Sequence, residues 1–98
     1  MVQTVKSQRV TPGVCVILLE KPLALRRIFY SIKALIDSTM DHKAHISFDD
    51  PTFISYYIFG GPVQQLEAKG EGICQGDIWA QNVSSSADIV FVMSEILV

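Results

Sequence analysis

Hydrophobic and polar residues alternate along most of this chain, and the alternation predicts strands. Val14 to Leu19 is a continuous apolar run, VCVILL, between the turn signals Pro12-Gly13 and Glu20-Lys21-Pro22. A run of that length, rich in β-branched residues, reads as a buried strand. From Arg26 to Ile36, residues Ile28, Tyr30, Ile32, Ala34 and Ile36 fall on one face. Arg27, Ser31 and Lys33 fall on the other with Phe29 and Leu35, the period-two pattern of a half-buried strand. Partial 3.6-residue spacing there makes a helix the rival, but no cap residue opens it and Pro22 lies just upstream. Ala44, Ile46 and Phe48 alternate with His45 and Ser47. Thr52 to Phe59, TFISYYIF, is almost wholly β-branched or aromatic and is the strongest strand signal in the chain.

Val63 to Lys69 is a more polar segment, read as an edge strand, and Ile73 to Gln75 a short strand between glycine turns. Ile78 to Val83 is a strand. Asp88 to Val98 is a long alternating one, with Ile89, Phe91, Met93 and Leu97 sharing a face with Glu95. Seven to eight strands with turn signals every 8–12 residues predict an all-β domain, a small antiparallel β-sandwich or jelly-roll-like fold. The organisation expected is an N-terminal arm or edge strand over residues 1–11 and one sandwich over 12–98.

Composition sharpens this picture. The chain is 49% hydrophobic and 18% charged, against a usual charged share of about 25%. Two inner faces of a small sandwich need fewer apolar residues than this, so some are expected outside, on a contact surface. Self-association is the expectation. Charge is unevenly placed: residues 1–36 hold six cations against Glu20 alone, and residues 37–98 hold Lys43 and Lys69 against nine carboxylates. The halves can pair inside one fold or between copies. The net charge of −2 supplies no basic field for nucleic acid. No stretch is long and apolar enough for a membrane helix, and no leader of the secretory type opens the chain.

Candidate chemistry is sparse. His42 and His45 diverge on an extended chain and lack the further ligands zinc requires, so they read as a solvated turn histidine and an outward strand histidine. Asp49-Asp50 falls far short of the oxygen count calcium takes and precedes Pro51, a turn context. Cys15 and Cys74 lie far apart in apolar runs and read as free buried thiols. Gly60-Gly61 and Gly70-Glu71-Gly72 sit between strands and read as turn glycines rather than a phosphate cradle. There is no nucleophile-elbow motif. The expectation is a protein without enzymatic activity, cofactor or metal. Trp79 can serve as a sugar-stacking platform or as a core or interface anchor, the second being the reading preferred.

The order of elements also carries a resemblance. Pro12-Gly13 leads into VCVILL, the basic-led strand RRIFYSIKALI follows, and late in the chain GDIWA precedes a serine-rich loop and the final strand ADIVFVMSEILV. Over residues 10–98 this resembles the small jelly-roll-like β-sandwich proteins of tailed-phage virions, among them capsid decoration (cement) proteins and tail-fibre heads. The resemblance implies a homotrimer on the outer capsid surface, with the major capsid protein as partner, location in the virion, and synthesis in the host cytoplasm. Lys6, Arg9, Arg26 and Arg27 would meet the capsid. Tyr57, Phe59, Trp79 and Phe91 would lie in the core or between subunits. A fibre head is expected to follow a shaft sequence, so a chain without one favours cement. The alternatives are a receptor- or carbohydrate-binding sandwich of a phage tail and a cellular interaction module.

Overall fold

The computed structural model describes residues 1–35, 42–49, 56–59 and 63–98, of which residues 56–59 and 63–64 are described by their backbone alone. Eight strands appear among these residues: β1 (Val2–Val10), β2 (Cys15–Leu19), β3 (Arg27–Leu35), β4 (Lys43–Phe48), β5 (Tyr56–Phe59), β6 (Val63–Lys69), β7 (Ile78–Asn82) and β8 (Ile89–Leu97). They form two four-stranded antiparallel sheets, ordered β1-β8-β3-β6 and β2-β7-β4-β5. The pairings nest: β1 with β8, β2 with β7, β3 with β6 and β4 with β5. The chain therefore behaves as one long hairpin wrapped across two sheets, which is the eight-stranded jelly roll.

The alternation read from the sequence decides what lies between the sheets. Tyr30, Ile32, Ala34, Ala44, Ile46, Ile78, Ala80, Ile89, Phe91 and Met93 are buried there, each large side chain contributing about 1.5–3 kcal/mol. Phe91 is thus a core residue. Residues 1–11 form β1, an edge strand paired with β8 along its whole length. β6 is the opposite edge of the same sheet. Pro12-Gly13 makes the turn into β2, with Val14 N–H donating to the Thr11 carbonyl at 3.1 Å and Gly13 at φ 82°, a backbone that glycine adopts without strain.

Four details differ from the sequence reading. The segment Ile73–Gln75 is not a strand but part of a loop. His42 is buried. Cys15 is exposed and Cys74 half-buried, both as free thiols, because Cys15 falls on the outward side of β2. Arg27 is fully buried, although alternation from Phe29 would turn it outward. The cause is a register shift between Arg27 and Phe29, where β3 pairs with β8. One extra residue, Ile28, inverts the faces beyond it. The segment Thr52–Ser55 and residues Ile36, Gly60 and Gly61, singled out in the sequence, lie outside the described residues.

Candidate functional site

Two interior polar clusters shape the ends of the sandwich. At one end Arg27 Nε donates to Glu95 Oε2 at 2.9 Å, Nη1 to the carbonyls of Cys74 (2.6 Å) and Gly76 (3.0 Å), and Nη2 to the carbonyl of Glu20 (2.9 Å). Gln75 grips the same residue by its backbone, accepting from Arg27 N–H at 2.8 Å and donating to its carbonyl at 2.7 Å. The guanidinium fork thereby ties β3, β8, the end of β2 and the β6–β7 loop together. It also explains Glu95 on an otherwise apolar face. At the other end the buried Asn82 amide donates to the carbonyls of Val10 and Ala87, both at 2.8 Å, and accepts from Ser84 N–H at 2.9 Å.

Beside the first cluster, Tyr30, Phe48, Ala68, Gly72, Ile73 and Cys74 line a cleft of about 220 Å³. The Tyr30 and Phe48 rings meet there in a tilted pair, 6.2 Å between centroids. At its mouth the Cys74 thiol donates to Asp49 Oδ1 at 3.5 Å. Burial raises the Cys74 pKa first, with the Asp49 carboxylate adding to it; the Gly76 backbone and Arg27 pull the other way. A thiol held protonated is a poor nucleophile. Among the described residues no three His, Cys, Asp or Glu side chains converge as metal ligands would.

The residues singled out from the sequence scatter over the surface and core. Lys6 and Arg26 are exposed, and Arg9 is exposed beside Asp88 at 3.4 Å. Arg27 is withdrawn inside and unavailable to a partner. Arg9–Asp88 and Arg27–Glu95 both join a cation of the first half to a carboxylate of the second. Trp79 lies on the outward side of β7, opposite Ile17 and Ser47. It is half-buried, and its Nε1 is enclosed without a hydrogen-bond partner among the described residues. Register places Tyr57 opposite His45 and Phe59 opposite Lys43; their side chains lie outside the description.

Sequence reasoning missed the face that most invites a partner. Among the outward positions of the β1-β8-β3-β6 sheet are the apolar residues Phe29 and Leu35 on β3, Val90, Val92 and Ile96 on β8, and Val5 on β1, interspersed with Ser31, Lys33, Ser94, Ser7 and Arg9. Of the apolar ones, Leu35 and Val5 are exposed and the others half-buried. The signal was present: β8 is apolar on both of its alternating faces, which a strand with one solvated face is not. No protein-family model matches this chain, and no curated protein is similar to it in sequence.

Proposed function

We propose that this chain is a structural virion protein, a homotrimeric capsid decoration (cement) protein that binds the outer surface of a tailed-phage capsid and stabilises the shell. The observation that carries the reading is the group of apolar residues on the outward face of the β1-β8-β3-β6 sheet. Phe29 and Ile96 pair at one end of that face and Leu35 and Val90 at the other, beside Val92, with Ser31, Ser94 and Lys33 between them, and exposed apolar area on a small domain is normally covered by protein. Packing of that face against neighbouring copies accounts for it. The jelly-roll topology adds support by kind of fold, an architecture that capsid domains share with lectins and cupins.

The mechanism is linkage. Trimers that bind the assembled lattice and not free capsid subunits lower the free energy of the shell. Three weak contacts per trimer add through effective concentration. The test joins sedimentation equilibrium with quantitative mass spectrometry of purified particles. The expected results are a trimer at micromolar concentration, dissociated by Val92→Glu, and a copy number that is a simple fraction of the capsid subunit's. A monomer at about 100 µM, or absence from particles, overturns the reading.

A further inference from the structure

The cleft beside the Arg27 cluster is a hole without a charged wall. Its six lining residues, Tyr30, Phe48, Ala68, Gly72, Ile73 and Cys74, are uncharged, and its volume is about 220 Å³. Small residues make the space. Ala68 is the register partner of Tyr30 across β3 and β6, and Gly72, at φ 81°, follows in the β6–β7 loop. A cavity of roughly 150 Å³ holds one benzene, and a drug-sized ligand takes roughly 300–1,000 Å³. This cleft is therefore sized for one branched or aromatic side chain.

The chain carries such a side chain on its outside. Leu23 is 97% exposed, the least covered large hydrophobic residue among those described, and it does not line the cleft of its own chain. The connection that bears it is not slack. The β2–β3 connection is held at its start by the Glu20 carbonyl, which accepts from Arg27 at 2.9 Å, and by Lys21 N–H, which donates to Asp77 Oδ1 at 2.7 Å. Its far end is held by Arg26 and Val98, which exchange backbone hydrogen bonds of 2.8 Å each. A side chain presented by a connection fixed at both ends loses little further freedom on binding. Charge does not choose its partner: Lys21 and Arg26 near it are balanced by Glu20 and Asp77. Apolar shape decides the fit.

A knob and a hole of matching size, at separate places on one molecule, define a contact that a second copy completes. The leucine of one copy fills the cleft of the next, whose own leucine is left for a third. A head-to-tail contact of this kind closes as a ring when the rotation between copies allows it. An anchor seated in a pocket carries much of an interface's energy, and the contacts around it exclude water.

We propose that Leu23 of each copy inserts into the cleft between Tyr30, Phe48 and Cys74 of the next copy. The inference deepens the trimer reading and rests on it only for closure at three copies.

The test uses the thiol already in the cleft. In a Cys15→Ser background, Leu23→Cys is prepared as isotopically labelled and unlabelled chains, mixed, and held at about pH 8.5, where more thiolate forms. Oxidised glutathione takes up the two thiol hydrogens as the 23–74 disulfide forms and leaves as two reduced molecules. The expected product joins a labelled to an unlabelled chain, in at least tenfold greater yield than with Ser86→Cys, an exposed position at the opposite end. In sedimentation, Leu23→Asp and Ala68→Leu, which fills the cleft, should each weaken association at least tenfold. An equimolar mixture of these two variants should associate more tightly than either alone, because one keeps its cleft and the other its leucine. If Ala68→Leu lowers the urea midpoint, the disulfide and Leu23→Asp decide. A disulfide confined within single chains, equal yields at 23 and 86, or unchanged association of Leu23→Asp would each overturn the contact. A trimer without the link refutes this contact and leaves the cement reading standing. Pairs or open-ended assemblies that carry the link keep the contact and refute the trimer, and a monomer without the link refutes both.

Discussion

Replacing Arg27 with Met tests the central claim about how this jelly roll is closed. The side chain is 0% exposed, and its partner Glu95 is 12% exposed. The substitution keeps most of the buried volume and removes all four donated bonds. Three carbonyls, those of Glu20, Cys74 and Gly76, lose their donor, and the Glu95 carboxylate is left in a site built for a pair. Breaking a buried pair from one side costs about 3–5 kcal/mol. A domain of this size has roughly 5–15 kcal/mol in total, so Arg27→Met should consume a large part of it.

The assay is urea denaturation followed by the fluorescence of Trp79, the only tryptophan in the chain. A loss of about 3–5 kcal/mol corresponds to a fall in melting temperature of at least about 12 °C for a domain of this length. Adding Glu95→Leu to Arg27→Met removes the stranded charge, so the double variant should be more stable than Arg27→Met alone. Arg27→Lys keeps the charge but not the fork and should fall between wild type and Met. A loss below about 1 kcal/mol for Arg27→Met would refute the reasoning, since it would mean that water or rearrangement satisfies all four acceptors. An additive double variant would refute the pairing with Glu95.

Asn82→Ala deletes a buried amide that serves two carbonyls and one N–H; calorimetry should show a loss of about 2–4 kcal/mol, the cost of several buried groups left unpaired. The raised pKa of Cys74 means that less thiolate is present at a given pH than in an unperturbed thiol. In a Cys15→Ser background, iodoacetamide should therefore modify Cys74 more slowly than a free thiol at pH 8 and approach it only at higher pH. Asp49→Asn removes the carboxylate that adds to the shift, so it should speed the modification, and equal rates would contradict the Asp49 contact.

Much of the fold was legible in the sequence. Period-two stretches such as Ala44–Phe48 and Ile89–Leu97 send Ala44, Ile46, Ile89, Phe91 and Met93 inward as read, because side-chain direction on a strand follows from position alone. The turns at Pro12-Gly13 and Gly70–Gly72 were equally local, since Gly13, Gly70 and Gly72 all take positive φ. The candidate site was far less legible. Lys6 and Arg26 are exposed, whereas nothing local in the sequence says that Arg27, grouped with them, is buried.

What the sequence determined by itself was the class of fold, most of the strands and the inward faces of β3, β4 and β8. Tertiary structure alone decided which strands neighbour each other, that β3 shifts register at Ile28, and that Arg27 therefore turns inward to meet Glu95, 68 residues away. The reason is physical: alternation is a property of one strand's own backbone, whereas a bulge is imposed by the partner strand. One inserted residue exchanges inside for outside, and it turned Arg27 into the interior.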